Sequence, residues 1–207
     1  MENNELFLQQ KFKEVAKLIP PNSKVLDIGC NEGKIRKYLI KPDYFGADLD
    51  KKFTEKIKTE GFNAQSADLN KEEIPFKKER FDSILLLDIV EHVVDPQRLI
   101  LSAKKMLNPK GKMIITLPND YHLINKIRFL FNKPLTEDVF CPYGHLHYFP
   151  IKLGEKFLIS NGLRIIKKIY LPPVKPKILP QFVKNLLCFI SPQNFSRDTL
   201  YFCNSYE

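Results

Sequence analysis

The chain has 207 residues, of which 43% are hydrophobic and 28% are charged, and this is the balance of an ordinary globular domain with material for one sizeable core. The N-terminus lacks the pattern of a secretory signal, and the longest apolar-rich stretch, residues 178–192, is too short and too polar to span a membrane. Four widely spaced cysteines without a C-x-x-C pair indicate reduced thiols rather than a disulfide or zinc framework. We therefore expect a cytoplasmic protein.

The charge is distributed unevenly along the chain. Residues 1–103 have a net charge of −1, whereas residues 104–207 carry 16 Lys and Arg against 6 Asp and Glu, a net charge of +10. The simpler interpretation of this excess is a solvated, lysine-rich surface. The alternative is that the second half meets an anionic substrate or surface.

Short apolar runs alternate with helical periodicities in the first half of the chain. Strands are predicted over residues 24–28, 44–47, 62–67, 81–87 and 112–117. Helices are predicted over residues 34–39, 51–60 and 96–107, with a turn at 108–111 before the fifth strand. This alternation predicts an α/β fold: a doubly wound, mainly parallel sheet with helices on both faces.

The second half is less regular. The pattern predicts a helix over residues 119–131, a loop over 132–150, helices over 151–161 and 178–190, and strands over 163–170 and 199–204. We expect one domain over residues 1–207 and a seven-stranded sheet whose last strand is antiparallel. Within it, residues 1–118 form the cofactor-binding half, 119–150 a substrate-side insertion, and 151–207 the part that completes the sheet.

The most informative segment is the turn after the first strand. Residues 25–33 read Val-Leu-Asp-Ile-Gly-Cys-Asn-Glu-Gly, and in open α/β sheets ligands bind beyond the carboxyl ends of the strands. Gly29 and Gly33 allow the backbone to approach a ligand without an intervening Cβ. A dinucleotide site would need Gly-x-Gly-x-x-Gly facing a pyrophosphate. Here Asp27 and Glu32 flank the turn, and their charge suits a ligand with an amino group and a sulfonium.

This segment resembles motif I of the class I S-adenosylmethionine-dependent methyltransferases, and the similarity continues at Gly46-Ala-Asp48, at Ala67-Asp-Leu69 and along the fourth and fifth strands. The resemblance implies S-adenosylmethionine as cofactor. It also implies the following binding residues: Asp27, Gly29, Cys30, Asn31, Gly33, Asp48, Leu49, Asp68, Leu69 and Asp88.

Three of these residues have specific roles in the resemblance. Asp48, with Asp50 as the fallback, would accept hydrogen bonds from both ribose hydroxyls. Leu49 would lie against the adenine, and Asp68 would accept its amino group. Asn31 stands where the family usually has a glycine, and because Asn tolerates the left-handed backbone region, we expect the turn to form.

Residues 88–96, Asp-Ile-Val-Glu-His-Val-Val-Asp-Pro, resemble a stretch common in small-molecule O- and C-methyltransferases, including those of quinone biosynthesis. In the quinone group the matching residues, here Asp88, Glu91 and His92, are thought to hold a divalent cation, which would lower the pKa of an acceptor hydroxyl. The alternative, which we prefer, is that Glu91 and His92 orient a loop beside the cofactor. We therefore predict no metal site.

A second resemblance, to the MetW group linked to methionine biosynthesis, starts at residues 18–29 and resumes at 116–119, 123–131 and 147–165. Residues 88–96 fit the general methyltransferase families better. The sequence therefore supports the superfamily and leaves the branch open.

The acceptor side is expected in the segment 119–150, over the carboxyl edge of the sheet. It offers six aromatic or imidazole side chains: Tyr121, His122, Tyr143, His145, His147 and Tyr148. If residues 146–149 are extended, His145 and His147 share one face, where they could ligate a metal or act as a general base. The alternative is an imidazole that bridges two loops.

We therefore predict methyl transfer from S-adenosylmethionine to a small-molecule acceptor at an oxygen or carbon nucleophile, with His145, His147, Glu91 and His92 as candidate catalytic residues. An anionic, lipid-linked or sugar-linked acceptor stays open, whereas nucleic acid is disfavoured because the chain has no Asn-Pro-Pro-Tyr or Asp-Pro-Pro-Tyr motif. The alternative function is a cofactor-binding protein that is non-catalytic or partner-dependent. Residues 178–190 could also lie on an anionic membrane surface, although we favour a packed helix. The oligomeric state is left open.

Overall fold

The computed structural model describes residues 2–133, 144–173 and 179–205, with side chains from Glu5 onward. Its strands are β1 Lys24–Ile28, β2 Asp43–Asp48, β3 Asn63–Ser66, β4 Phe81–Leu87, β5 Leu107–Pro118, β6 Leu163–Leu171 and β7 Asp198–Ser205. Its helices are α1 Glu2–Ala16, α2 Lys51–Thr59, α3 Pro96–Lys104, α4 Leu123–Leu130, α5 Ile151–Ser160, α6 Gln181–Ile190 and α7 Pro192–Phe195. Two short 3₁₀ helices cover Lys34–Tyr38 and Val90–His92.

The strands form one seven-stranded sheet in the order β3-β2-β1-β4-β5-β7-β6. Neighbouring strands from β3 to β5 pair in parallel, whereas β7 is antiparallel to both β5 and β6. The predicted fold class is confirmed, including the antiparallel last strand. Since β1 to β4 are parallel, their carboxyl ends lie at one edge of the sheet.

The core lies on both faces of the sheet, and β4 shows why. Ile84 and Leu86 pack on one face with the α3 residue Ile100, whereas Leu85 packs on the other face with Val15 of α1. A nearly continuous apolar strand of this kind is buried on both sides and takes a central place in a parallel sheet. The prediction that this strand is central is confirmed.

The predicted helix over 96–107 and strand over 112–117 are both present as α3 and β5, but their bounds differ and the separate turn between them was wrong. The predicted helix over 96–107 ends at Lys104, and β5 already begins at Leu107, which pairs with Phe81. Residues 108–111 therefore lie in the strand, at a shift in its register with β4, and do not form a separate turn. A Cβ at Gly111 would lie 2.8 Å from the carbonyl oxygen of Phe81, so the close approach of the two backbones needs glycine.

Other helices differ from the prediction in extent or type. Residues 34–38 form a 3₁₀ helix instead of an α-helix, and α4 begins only at Leu123. The preceding Asn119 instead donates its backbone N–H to the carbonyl oxygen of Arg197 (2.8 Å) and its side-chain amide to that of Ser196 (3.1 Å). These bonds hold Asn119 against the segment before β7, directly after the end of β5, so the helix cannot begin there.

Two helices, α1 and α7, were not predicted from the sequence. In α1 the buried row at spacing i, i+4, i+8 consists of Phe7, Lys11 and Val15. A lysine in the middle of this row breaks the apolar periodicity on which the prediction depends. Over the described residues, no helix has both the length and the apolar character needed to cross a membrane.

Candidate active site

The turn after β1 contains three residues in the left-handed backbone region: Gly29 (φ 77°), Asn31 (φ 48°) and Gly33 (φ 64°). The side-chain oxygen of Asn31 accepts a hydrogen bond from the backbone N–H of Glu32 (2.8 Å). Such a local bond helps Asn to adopt this conformation. The expectation that Asn31 preserves the turn is confirmed. A Cβ at Gly29 would lie 3.0 Å from Ile89, so the turn packs directly on the segment after β4.

Asp48 lies beside this turn at the end of β2. One carboxylate oxygen accepts the backbone N–H of Asn31 (2.7 Å), and the other accepts that of Asp50 (2.9 Å). Asp50 instead caps α2 by accepting the N–H of Lys52. Because Asp50 is used as a helix cap, Asp48 is the better placed of the two for a ribose contact.

Asp27 is buried beneath the same turn. Its Oδ2 accepts a hydrogen bond from the Tyr44 hydroxyl (2.7 Å). Burial raises the pKa of Asp27 to about 7, against the effect of the Tyr44 bond and with a further increase from the negative charge of Asp48. A cationic ligand close to Asp27 would favour the ionised form of this carboxyl group.

A cavity of about 200 Å³ opens at the turn. Its lining includes Asp27, Gly29, Cys30, Asn31 and Asp88 of the predicted cofactor set. It is covered by Leu8 and Phe12 of α1, which the sequence analysis did not anticipate. We refer to it as the cofactor cavity.

The remaining residues of the predicted cofactor set, Gly33, Asp48, Leu49, Asp68 and Leu69, do not belong to this lining. Asp48 is joined to this lining by its hydrogen bond from the backbone of Asn31, and the Leu49 side chain is exposed. Asp68 accepts hydrogen bonds from Lys71 and from the backbone of Asn70, and these bonds lower its pKa. Leu69 packs against the core.

A second cavity, of about 430 Å³, adjoins the first. Leu8 and Asp88 line both cavities. The polar side chains of the second cavity come from α1, the segments after β4 and β5, the segment before α5 and the start of β7: Lys11, Asp88, Glu91, His92, Asn119, Asp120, His122, His145, Arg197 and Asp198. We refer to it as the acceptor cavity.

A buried cation holds α1 at the boundary of the two cavities. The Nζ of Lys11 lies 2.7 Å from Asp88 and 2.5 Å from Asp198, and its side chain is 2% exposed. Burial alone would lower the pKa of Lys11, but the two carboxylates outweigh it and raise the pKa. The pKa of Asp88 is lowered because Lys11 and Thr116 outweigh its burial, whereas burial raises the pKa of Asp198.

Glu91 is the most unusual acid of the acceptor cavity. It is 1% exposed, and its Oε2 has no hydrogen-bond partner within the described residues. Burial, assisted by the negative charge of Asp88, raises the pKa of Glu91 to about 8. The group is therefore mainly protonated at pH 7. A perturbed acid in a cavity of this kind is a candidate functional group.

His145 and Asp120 form a hydrogen-bonded pair in the acceptor cavity. The Nδ1 of His145 lies 3.1 and 3.0 Å from the two carboxylate oxygens of Asp120, so Nδ1–H is the donor and Nε2 carries the lone pair. The hydrogen bond with Asp120 raises the pKa of His145, although burial opposes it. The neighbouring His92 donates Nδ1–H to the Gly144 carbonyl, and burial lowers its pKa.

His147 has a different environment. Residues 146 and 147 form a bend, so the extended segment that would place His145 and His147 on one face is not present. The Nε2 of His147 donates to the Val93 carbonyl oxygen (2.9 Å), and His147 does not line the acceptor cavity. Its contacts are those of an imidazole that bridges two loops.

The ligand set implied by the quinone resemblance is altered here, because Asp88 is paired with Lys11. Within the described residues, one ligand atom each of Glu91, His92 and His145 lie within 4.8 Å of one another. The unpaired Glu91 oxygen and two imidazoles fixed through Nδ1 are a donor set that suits a divalent cation. Our prediction of no metal site stays a prediction.

Comparison with known proteins defines the class. Residues 2–168 match the methyltransferase domain family, and the chain belongs to this family. The family confirms the predicted class I methyltransferase superfamily and, with it, S-adenosylmethionine as the cofactor.

Two curated relatives give the range of the sequence similarity. The chain is 34% identical over 102 residues to the ubiquinone biosynthesis O-methyltransferase of Bartonella bacilliformis, covering 46% of this chain and 41% of that protein. It is 30% identical over 115 residues to the uncharacterized protein MJ1123 of Methanocaldococcus jannaschii, covering 55% and 53%. The chain thus matches about half the length of these curated relatives.

Among solved structures, the fold is similar to a chain of the complex between the Haloferax volcanii Trm112 methyltransferase activator and a putative methyltransferase. The TM-score is 0.68 at 10% identity, over 100% of this chain and 94% of that chain. At this identity the similarity concerns the fold alone.

Sequence reasoning missed Lys11, Asp120 and Asp198 as members of the site. Asp120 is the second residue after the end of β5, and Asp68 has the same position relative to β3. That signal was present in the sequence but was not used. Lys11 and Asp198 lie far from the motifs along the chain and carry no comparable signal.

Proposed function

We propose that this protein transfers the methyl group of S-adenosylmethionine to a small molecule held in the acceptor cavity, at an oxygen or carbon nucleophile. The observation that carries the proposal is the contact between the two cavities. The cofactor cavity opens at the motif I turn, the acceptor cavity contains Glu91, His92 and His145, and Asp88 and Leu8 line both. A donor and an acceptor bound in adjoining cavities would be aligned for direct transfer.

The chain's own residues account for alignment and proton transfer. When bound, S-adenosylmethionine supplies an electrophilic methyl group on a sulfonium. Leu8 and Phe12 cover the donor side and limit the access of water. His145 is the general base of the proposal, with its Nδ1–H held by Asp120. The lone pair on Nε2 would accept the proton of an acceptor hydroxyl as the oxygen bonds to the methyl carbon, while the sulfur–methyl bond breaks and S-adenosylhomocysteine leaves.

Glu91 and His92 complete the acceptor side. A protonated Glu91 can donate a hydrogen bond to the acceptor and so help to orient it. If a divalent cation binds instead, Glu91, His92 and the Nε2 of His145 would hold it, and the cation would polarise an acceptor hydroxyl in place of the general base. The proposal does not need this cation, because His145 supplies the base.

The test is transfer of a labelled methyl group to two simple probes, catechol for an oxygen nucleophile and a 1,3-diketone for a carbon nucleophile. We expect transfer to one of them by the wild type and a loss of about 10²–10⁴-fold in His145→Gln, the range of general-base catalysis. Saturable binding of S-adenosylhomocysteine without transfer to either probe would contradict the proposal. It would favour the non-catalytic or partner-dependent alternative, as would transfer that appears only with an added activator protein.

A further inference from the structure

An apolar surface lies on α4, α6 and their ends. Eleven large apolar side chains of this surface are exposed: Leu123, Ile124, Ile127, Phe129, Leu130, Phe131, Leu179, Phe182, Leu186, Phe189 and Ile190. None of the α4 residues is buried, and α6 buries only Lys184 and Cys188. The preference for α6 as a packed helix holds for the face that carries Lys184 and Cys188, which packs against β6 and α7, whereas Phe182, Leu186, Phe189 and Ile190 are exposed. Surfaces that expose so many large apolar side chains mark interaction sites.

The spacing on both helices places these side chains in stripes. Leu123, Ile127 and Leu130 are spaced i, i+4, i+7, and α6 repeats the pattern from Phe182 through Leu186 and Phe189. Side chains at this spacing share one face of a helix. A bilayer interface receives helices of this type side-on, with the apolar face in the acyl region.

The charge of the same segments selects the kind of surface. Residues 121–133 and 179–197 contain five Lys and Arg and no Asp or Glu. Basic residues beside an apolar stripe suit anionic lipid head groups. Lys184 is buried, so a second copy of this chain would bring the other four basic residues against four of the same charge. This repulsion disfavours an interface between copies.

An apolar cavity lies between this surface and the acceptor cavity. It has a volume of about 450 Å³, and its lining includes Leu123 and Ile124 from α4 and Leu187 from α6. His122 and Arg197 line both this cavity and the acceptor cavity, so the two are neighbours. An apolar cavity beside a polar one fits a molecule with a hydrocarbon chain and a polar head.

We propose that α4 and α6 dock on an anionic lipid bilayer, and that the apolar cavity receives the hydrocarbon chain of a lipid acceptor whose polar head enters the acceptor cavity. The second part rests on the proposed function, since it assigns the acceptor class. The first part does not, because docking needs neither cofactor nor turnover.

Flotation of the full chain, without cofactor, tests docking. We expect the protein to float with vesicles of phosphatidylcholine mixed with phosphatidylglycerol, not with phosphatidylcholine alone, and to be released by salt. In the double variant Leu130→Ser/Phe189→Ser, each replacement should weaken binding to the vesicles about tenfold. The control is Ile40→Ser, which changes an apolar side chain that is 63% exposed outside both helices.

Three outcomes would overturn docking: no flotation, equal flotation of the double variant and the wild type, or an equal loss in the control. Concentration-dependent dimerisation that the double variant abolishes would assign the surface to an interface between copies. A failure of S-adenosylhomocysteine to bind would contradict the proposed function and leave the flotation result intact, so the two failures are distinguishable.

The acceptor chain has its own test, calorimetry with catechol and 4-octylcatechol in the presence of S-adenosylhomocysteine. We expect the octyl probe to bind at least about tenfold more tightly, since its chain would be removed from water. Ile124→Trp, which places a larger side chain at the cavity, should remove this difference and leave catechol binding unchanged. An equal advantage of the octyl probe in wild type and variant would contradict the assignment of the cavity.

Discussion

Replacement of Lys11 tests how α1 is held over the two cavities. The Lys11 ammonium is buried between Asp88 and Asp198, two acids from different strands at the carboxyl edge of the sheet. Lys11→Met keeps an unbranched side chain of similar length and removes the charge. It leaves the two carboxyl groups facing each other without their common partner, in an environment that disfavours charge.

The size of the effect follows from this loss of compensation. Breaking a buried ion pair by removing one partner costs about 3–5 kcal/mol, because the remaining charge is uncompensated. In a domain of 150–250 residues, 1 kcal/mol shifts Tm by about 2–4 °C, so the expected decrease in Tm is about 6–20 °C. Since the unpaired acids can be neutralised by protons, the loss should become smaller as the pH is lowered.

Urea denaturation and thermal melting, followed by circular dichroism, measure this effect. The matched control is Lys17→Met, near the end of α1, where the Lys17–Glu14 pair is exposed and contributes at most about 1 kcal/mol. Adding Asp198→Asn to Lys11→Met should restore part of the stability, because one of the two facing charges is removed. If Lys11→Met unfolds at the same urea concentration as Lys17→Met, the account of α1 is refuted.

The remaining predictions concern the two cavities. Asp48→Ala should weaken binding of S-adenosylhomocysteine by about tenfold to a hundredfold, the cost of unpaired polar groups. The helix-cap variant Asp50→Ala should lower the free energy of unfolding by about 1 kcal/mol and retain affinity. Equal affinities of the two variants in calorimetry would contradict the ribose contact of Asp48. The rate of methyl transfer should rise with pH through the pKa of His145, since the base must be neutral. Asp120→Asn should shift this rise to lower pH, because it removes the main cause of the raised pKa. A rise at the same pH in the variant would contradict the role of the Asp120–His145 pair. Glu91 binds its proton more tightly in the folded protein than in the unfolded chain. The stability of the wild type should therefore fall as the pH rises from about 4.5, the ordinary pKa of a glutamate, to about 8, and then level off. Glu91→Gln should flatten this decline, and an unchanged dependence of stability on pH would contradict the raised pKa.

The sheet could be predicted from the sequence because its central strands are short apolar runs between turn signals. Residues 81–87 alone indicate a strand buried on both faces, and the glycine-containing turns bound its neighbours. The wrong predictions concerned local boundaries. The end of α3 and the start of β5 depend on the close approach of two backbones at Gly111, which is a tertiary contact. α1 escaped prediction because its buried row contains Lys11, whose burial is stabilised only by acids 77 or more residues away in the chain.

The cofactor side of the site was easier to predict than the acceptor side, for a related reason. The relevant residues, Asp27 to Gly33 and Asp48, follow strands whose carboxyl ends must meet at one edge of a parallel sheet. The acceptor side is built from loops after β4 and β5, whose positions no periodicity fixes. Thus His145 and His147 look equivalent in the sequence, and only the bend at residues 146 and 147 separates them. Tyr143, also considered for the acceptor side, and the thiol of Cys141 lie outside the described residues.

Several expectations stay predictions: the cytoplasmic location, the division of residues 1–207 into functional parts, and the role of each residue in the cofactor set. The most direct measurement of the central claim is calorimetric titration of the protein with S-adenosylhomocysteine, with NAD as the control ligand. The account predicts saturable, one-site binding of S-adenosylhomocysteine and no binding of NAD, because acidic groups at the turn disfavour a pyrophosphate. Binding of NAD, or of neither ligand, would contradict it.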